Sequence, residues 1–308
     1  MKLFKGRNLP FAMNIENIRV FDNQENDEFS DMGDVKISYN LNCILVSRCN
    51  QSRIDIFDLQ TKAFKYFLLT PTSTPRFMCI EENYENDTSL IFDCQESVFK
   101  CNLKLCIEGA AAASNLDLVQ HGKIWESHYC AWPQGIAIFR SSVFVCDILR
   151  NRVVELNISN GQFISEFTVD RAFSIAFASI PSYSALYCTD ETKKYMIVTK
   201  IEKASSIQIF SQCKDDQGVC SWTSVKRLEM DSVKNPSGIV CDNKHIIVSE
   251  CDYRKIQAFS LETFEFICSF DLGDIHTNSY PHGICLNEST GELFVCGADC
   301  GFDYCEVF

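Results

Sequence analysis

Three stretches of this chain are variants of one pattern. From Pro133 the sequence reads PQGIAIFRSSVFVCDILRNRVVELNISNGQFISEF, from Pro236 PSGIVCDNKHIIVSECDYRKIQAFSLETFEFICSF, and from Pro281 PHGICLNESTGELFVCGADCGFDYCEVF. Each opens on Pro-x-Gly and a short apolar strand, then a second strand that finishes at or near an acid or a glycine. A polar turn and a strand of alternating Val, Ile or Phe complete the unit. A unit built only of short strands cannot bury its apolar faces alone and must stack on its neighbours. Repetition at roughly 40 to 50 residues therefore predicts an all-β chain, a β-propeller.

The motif has a physical reading of its own. Proline sets φ and suits the first residue of a strand, where it has no ladder N–H to give. Glycine lets the inner strands crowd near the axis. An acid ending the second strand and an Arg after the turn can pair and tie the hairpin together.

On this pattern the other units follow. Val35 to Leu69 supplies a first unit, and Pro75 opens a second with a polar insertion from Asn83 to Ser89. Phe173 to Phe210 supplies a fourth, which lacks Pro-x-Gly but keeps a strand running up to Asp190. A single six-bladed domain results, with blades at 34–70, 74–109, 132–169, 172–211, 235–272 and 280–308. The last blade is one strand short, and an open strand edge invites aggregation. Ile15 to Phe21 is expected to pair with it and close the ring, so that residues 1–33 form a closing strand plus an acidic loop. Glu108 to Ala131 and Cys213 to Asn235 read as excursions between blades. The first suggests a short helix starting at the run Ala110 to Ala113; the second, a turn near Asp215 and an extra strand. Long loops on a rigid scaffold often carry binding residues, although surface loops also drift at little thermodynamic cost.

The chain holds 28 Lys and Arg against 41 Asp and Glu, a net charge of −13. Nucleic-acid binding draws much of its affinity from cations that neutralise phosphates, so this balance argues against nucleic acid and against an anionic membrane. The densest basic run, Lys193, Lys194, Lys200 and Lys203, reads as a solvated edge strand or a small basic patch. No apolar run has the length of a signal-peptide core or a transmembrane helix, which makes the expected location cytoplasmic. In a reducing compartment the 18 cysteines do not form a disulfide framework. Cys43, Cys79, Cys146, Cys188, Cys241, Cys268 and Cys285 sit at apolar strand positions and are expected to pack as small hydrophobes.

Blades three and five resemble NHL repeats, and the whole chain resembles a six-bladed propeller of NHL or TolB-like type. Pro133, Gly135, Asp147, Asn151 and Arg152 carry the likeness in blade three, and Pro236, Gly238 and Glu250 with Arg254-Lys255 in blade five. Blade six keeps Pro281 and Gly283 but has Gly297 at the acid position, and blade one places Arg48 there while retaining Arg53. The resemblance implies a protein-binding scaffold or target-recognition module. It acts alone or within a larger complex, and serves ubiquitin-ligase pathways only through a separate partner, because the chain has no RING or B-box segment.

Chemistry in the channel is the alternative. Some related propellers hold a metal through histidines, but of the five histidines here only His282 takes a position facing the axis, where other blades offer Gln134 and Ser237. A zinc site needs three or four ligands, so no metal ligand is assigned. Asp93, Asp147, Asp190 and Glu250 recur at one end of the second strands, a set that a lactonase or gluconolactonase-like hydrolase would use around Ca²⁺ or Mg²⁺. One acid per blade paired within its own turn gives the same pattern, and no cofactor and no catalytic residue are assigned. The thiols Cys296, Cys300 and Cys305 lack the spacing of a structural zinc site. The expected binding face comprises Arg48, Arg76, Gln134, Asp147, Asp190, Ser237, Glu250 and His282. A cation-dependent hydrolase at the channel mouth is the second reading and an RNA-binding module the third.

Overall fold

The computed structural model describes residues 19–20, 32–71, 75–83, 88–112, 121–181, 192–201, 205–214, 220–229, 235–272, 280–299 and 302–307. The strands form six antiparallel sheets of four. Strand β1 (Arg19–Val20) comes first in the chain and belongs to the last sheet. Sheet I is β2 (Met32–Ser38), β3 (Cys43–Arg48), β4 (Arg53–Asp58) and β5 (Phe64–Leu69). Sheet II is β6 (Met78–Glu82), β7 (Thr88–Cys94), β8 (Ser97–Asn102) and, after the helix α1 (Leu103–Ala112), β9 (Lys123–Ser127). Sheet III runs β10 (Pro133–Phe139), β11 (Ser142–Asp147), β12 (Arg152–Asn157) and β13 (Phe163–Thr168). Sheet IV runs β14 (Ala172–Pro181), β15 (Thr192–Lys200), β16 (Ser206–Lys214) and β17 (Cys220–Glu229). Sheet V is β18 (Pro236–Cys241), β19 (His245–Glu250), β20 (Lys255–Ser260) and β21 (Phe266–Asp271). Sheet VI is β22 (Tyr280–Leu286), β23 (Leu293–Asp299) and β24 (Phe302–Val307), with β1 outermost.

Burial peaks on the second strands and falls from there outward. The second strands β3, β7 and β11 are buried at every residue, which explains their unbroken apolar runs, while the outer strands β13 and β21 alternate between exposed and half-buried. Inner strands of successive sheets pack side by side, and β2 packs on β22, bringing the last sheet against the first. The pairing of β1 with β24 adds only two residues, Arg19 opposite Val307 and Val20 opposite Glu306. The rest of the Ile15 to Phe21 segment lies outside the described residues.

The opening motif is where each sheet meets the next. Register shifts fall between Pro133 and Ile136, Pro236 and Ile239, and Pro281 and Ile284, so the x and Gly positions form a bulge. A Cβ on Gly135 would lie 2.5 Å from Ser174 Cα, and one on Gly283 2.4 Å from Asp34 Cα. Only glycine admits the neighbouring backbone this closely. A buried hydroxyl next to the end of the second strand completes the joint. Ser249 Oγ accepts from Gly238 N (2.7 Å) and donates to His282 O (2.6 Å); Ser47 Oγ accepts from Asp34 N (2.8 Å) and donates to Arg76 O (3.2 Å). Thr199 accepts from Ser174 N at 2.9 Å in sheet IV.

Several expectations are corrected. Both supposed excursions between blades contain the outer strand of the preceding sheet, β9 in sheet II and β17 in sheet IV. In sheet II an insertion between the third and fourth strands hid the outer strand, and it contains α1, which ends near the alanine run instead of starting there; in sheet IV the third and fourth strands are longer, nine and ten residues, and carry the pairing further. Leu103, Cys106 and Ala110 are buried against sheets I and II, so the helix belongs to the core. The lysine-bearing strand β15 is no edge: it lies between β14 and β16, with Met196, Ile197 and Val198 fully buried. Lys200, paired opposite Ala172 as Asp147 is opposite Pro133, therefore takes the acid position of sheet IV. Asp190 precedes this strand instead of ending it, and lies outside the described residues. Of the cysteines assigned to the core, Cys43, Cys79 and Cys146 are buried, but Cys241, Cys268 and Cys285 are half-buried. Cys188 lies outside the described residues.

Candidate functional site at the ends of the second strands

At the end of each second strand, or one or two residues before it, stands one residue of a ring: Arg48, Asp93, Asp147, Lys200, Glu250 and Gly297. Directly opposite, on the third strand, stand Arg53, Val98, Arg152, Ser206, Lys255 and Tyr304. Sheet III shows the complete device. Asp147, fully buried, accepts at Oδ1 from the amides of Ala131 and Trp132 (both 3.2 Å), and at Oδ2 from Arg152 Nε (3.0 Å). The Arg152 guanidinium also pairs with Glu166 and donates to Tyr129 O at 2.6 Å. In sheet I the acid has moved one strand outward: Arg48 donates to Asp55 at 2.7 Å, and Arg53 Nε lies 3.0 Å from the other Asp55 oxygen. Glu250, also fully buried, accepts from Tyr253 N at 3.1 Å and has Lys255 opposite.

Sheet II departs from this scheme. Asp93 is 2 % exposed and accepts from Phe77 N (2.6 Å) and Arg76 N (2.9 Å), both at Oδ1. The residue opposite is Val98, so no third-strand cation reaches the carboxyl. Burial outweighs the two amides and the more distant Arg76 charge, and pushes the Asp93 pKa up to about 8. Beside it, between sheets II and III, lies a cavity of about 700 Å³ lined by Arg76, Asp93, Glu96, Phe99, Trp132 and Gln134 among others. Gln134 is 2 % exposed; its amide nitrogen donates to Pro133 O at 2.9 Å, but its Oε1 has no hydrogen-bond partner. Ser97 Oγ meets His128 Nδ1 at 2.8 Å on the rim, and His128 Nε2 stands 3.5 Å from Glu126. The ring is 71 % exposed to water, which suits a hydrogen-bonding rim. Sequence reasoning missed Ser97, Glu126, His128 and Trp132. The missing cation at position 98 was the signal available, since Asp93-Cys94-Gln95-Glu96-Ser97-Val98 has no basic residue where blades three and five have one.

The expected site residues separate into groups. Ser237 and His282 come together, Oγ to Nδ1 at 3.3 Å, across sheets V and VI. Gln134, Arg76 and Asp93 share the cavity, with Asp147 in the adjoining sheet. Arg48 is buried with Asp55 and presents no open face. The described acids Asp93, Asp147 and Glu250 each answer amides or cations of their own sheet, and among the described residues no three His, Cys, Asp or Glu side chains gather as a metal site. Cys296 and Cys305 are register partners on β23 and β24, and Cys300 lies outside the described residues.

The axial cavity, about 310 Å³, is walled by all six inner strands and is largely apolar. Its charged groups are Asp34 and Lys36, paired at 2.6 Å. Three thiols line it, and burial raises the pKa of each, Cys285 to about 11. They are held as thiols, poor nucleophiles.

No family model and no curated protein matches the chain, so the NHL assignment finds no match. Among solved structures the chain is similar to the Cps50 (Swd1) beta-propeller domain of Myceliophteria thermophila, with a TM-score of 0.61 and 8 % identity. The likeness covers 95 % of this chain and 99 % of that one. The fold thus defines an all-β propeller. Among the described residues no helix is long and apolar enough to cross a membrane.

Proposed function

We propose that the chain is a non-catalytic protein-binding platform, and that it binds through the face on which the second strands end. The observation that carries this reading is a set of large side chains exposed there. Trp132 (49 % exposed) precedes β10, Leu149 (64 %) and Tyr253 (41 %) occupy the turns after β11 and β19, and Tyr280 (36 %) opens β22. Arg150 is half-exposed in the same turn as Leu149, and Arg254 lies over the Tyr280 ring at 5.3 Å. Aromatic and Arg side chains of this kind are the usual anchors of a protein interface. The Pro-x-Gly openings support the finer reading of an NHL-type module, with any ubiquitin-ligase role supplied by a separate partner.

The test is copurification of the full chain at moderate salt, with wild type compared against Leu149→Ser/Tyr253→Ser. Both residues lie in turns away from the core, so the variant is expected to fold and to lose a stoichiometric partner that wild type retains. Equal recovery of that partner by both proteins overturns the assignment of this face.

A further inference from the structure

We propose that the cavity between sheets II and III receives an arginine side chain of the partner protein, its guanidinium standing against Asp93 and Gln134 as Arg152 stands against Asp147 in sheet III. The inference rests on the protein-binding reading and names the chemistry of the partner. Its basis is an internal comparison. The acids that end β11 and β19 each face a basic residue on the next strand, Arg152 and Lys255, whereas Asp93 faces Val98. Asp93 instead lines a cavity of about 700 Å³, while Val98 is buried in the apolar cluster behind it. Two nearly buried acceptors line it: the Asp93 carboxyl, whose amide donors both fall on one oxygen, and Gln134 Oε1, which has no partner. A buried acceptor without a partner is costly, and Gln134 Oε1 is one, so an occupant that donates to it is favoured.

Charge and shape select the donor. Glu96 adds negative charge at the rim against Arg76, beside Glu126, which is paired with Lys123 at 3.2 Å, on a chain of net charge −13. Phe99 and Trp132 offer apolar surface to an aliphatic stem and a ring against which a planar cation stacks. A guanidinium, with its fork of donors, can reach a carboxylate and an amide oxygen together; an ammonium is a single point of charge.

A proton count makes the inference testable. Free Asp93 holds its proton at neutral pH because its pKa is about 8. Pairing with a guanidinium requires the carboxylate, so binding at pH 7 should release close to one proton, and affinity should rise with pH up to about 8. The other ionisable groups around the carboxyl are Arg76, Glu96, Glu126, His128 and the Cys94 thiol, so the release must be traced to Asp93 by mutation.

The probe is N-acetyl-arginine N-methylamide, titrated into the full chain beside its citrulline and lysine counterparts, with calorimetry in two buffers of different ionisation heat. The arginine probe is expected to bind about tenfold or more tightly than the citrulline one, the scale of hydrogen bonds to a charged group. Asp93→Asn retains an oxygen for the amides of Arg76 and Phe77. It should lower arginine affinity by about tenfold and abolish the proton release. Gln134→Met should weaken binding less, and Val98→Arg, which supplies the cation from within, should block it. Equal binding of arginine and citrulline probes, absence of binding, or unchanged binding by Asp93→Asn overturns the proposal. A partner retained by Asp93→Asn but lost by Leu149→Ser/Tyr253→Ser would remove the arginine site and leave the platform standing. The converse would remove the platform face alone.

Discussion

Asp93 and Asp147 occupy the same place in adjacent sheets, at or next to the end of the second strand, with two backbone amides of the segment leading into their own sheet donating to one oxygen. They differ in what meets the other oxygen. In sheet III Arg152 donates to it and the carboxylate is part of a closed network; in sheet II the register partner is Val98, which packs in the core, and burial drives the carboxyl toward its neutral form. A repeat thus preserves the backbone joint, which every sheet needs, while the side-chain half of the device can be deleted in one sheet.

The largest effect is expected on the closed side of this comparison. Arg152→Met strands a fully buried carboxylate, and unfolding in denaturant should show a loss of about 3 kcal/mol. If the loss is much smaller, the two sheets do not differ as argued. Next comes the pH dependence of the open side. Asp93 has a folded pKa raised from 3.8 to about 8, so its contribution to stability is fully present below about pH 4 and is lost as pH rises through about 8. Asp93→Asn has no such proton to lose. Its melting temperature should gain on wild type steadily between pH 5 and pH 8, and a constant difference would refute the shift. The smallest effect belongs to the exposed partner of Arg152: Glu166→Gln should cost less than about 1 kcal/mol, because the Glu166 side chain is 45 % exposed.

Much of the fold could be read from residues. Pro133, Pro236 and Pro281 mark the bulged openings of sheets III, V and VI, and the apolar runs after them are the first and second strands. Reading failed where composition pointed the wrong way. Lys193 and Lys194 made β15 look solvated, although Ile197 and Val198 bury it, and the error displaced the acid position of sheet IV from Lys200 to Asp190. The helix α1 concealed β9 because a local helical run gives no sign of the strand that resumes after it. Gln134 and Arg76, which line the cavity, and Ser237 and His282, which meet across two sheets, could be picked out because they sit at the x position of the repeat. Ser97, His128 and Trp132 could not, since a turn, an outer strand's end and a connecting loop share no periodicity.

The sequence by itself determined the repeat, the all-β class and the positions where one sheet touches the next, because these depend on alternation, proline and glycine, all local properties. Only the tertiary structure decided which carboxylate is answered by a cation and which faces a cavity. That outcome depends on strand register and on the approach of two sheets, distances set by the packing of the whole ring and by no stretch of the chain alone.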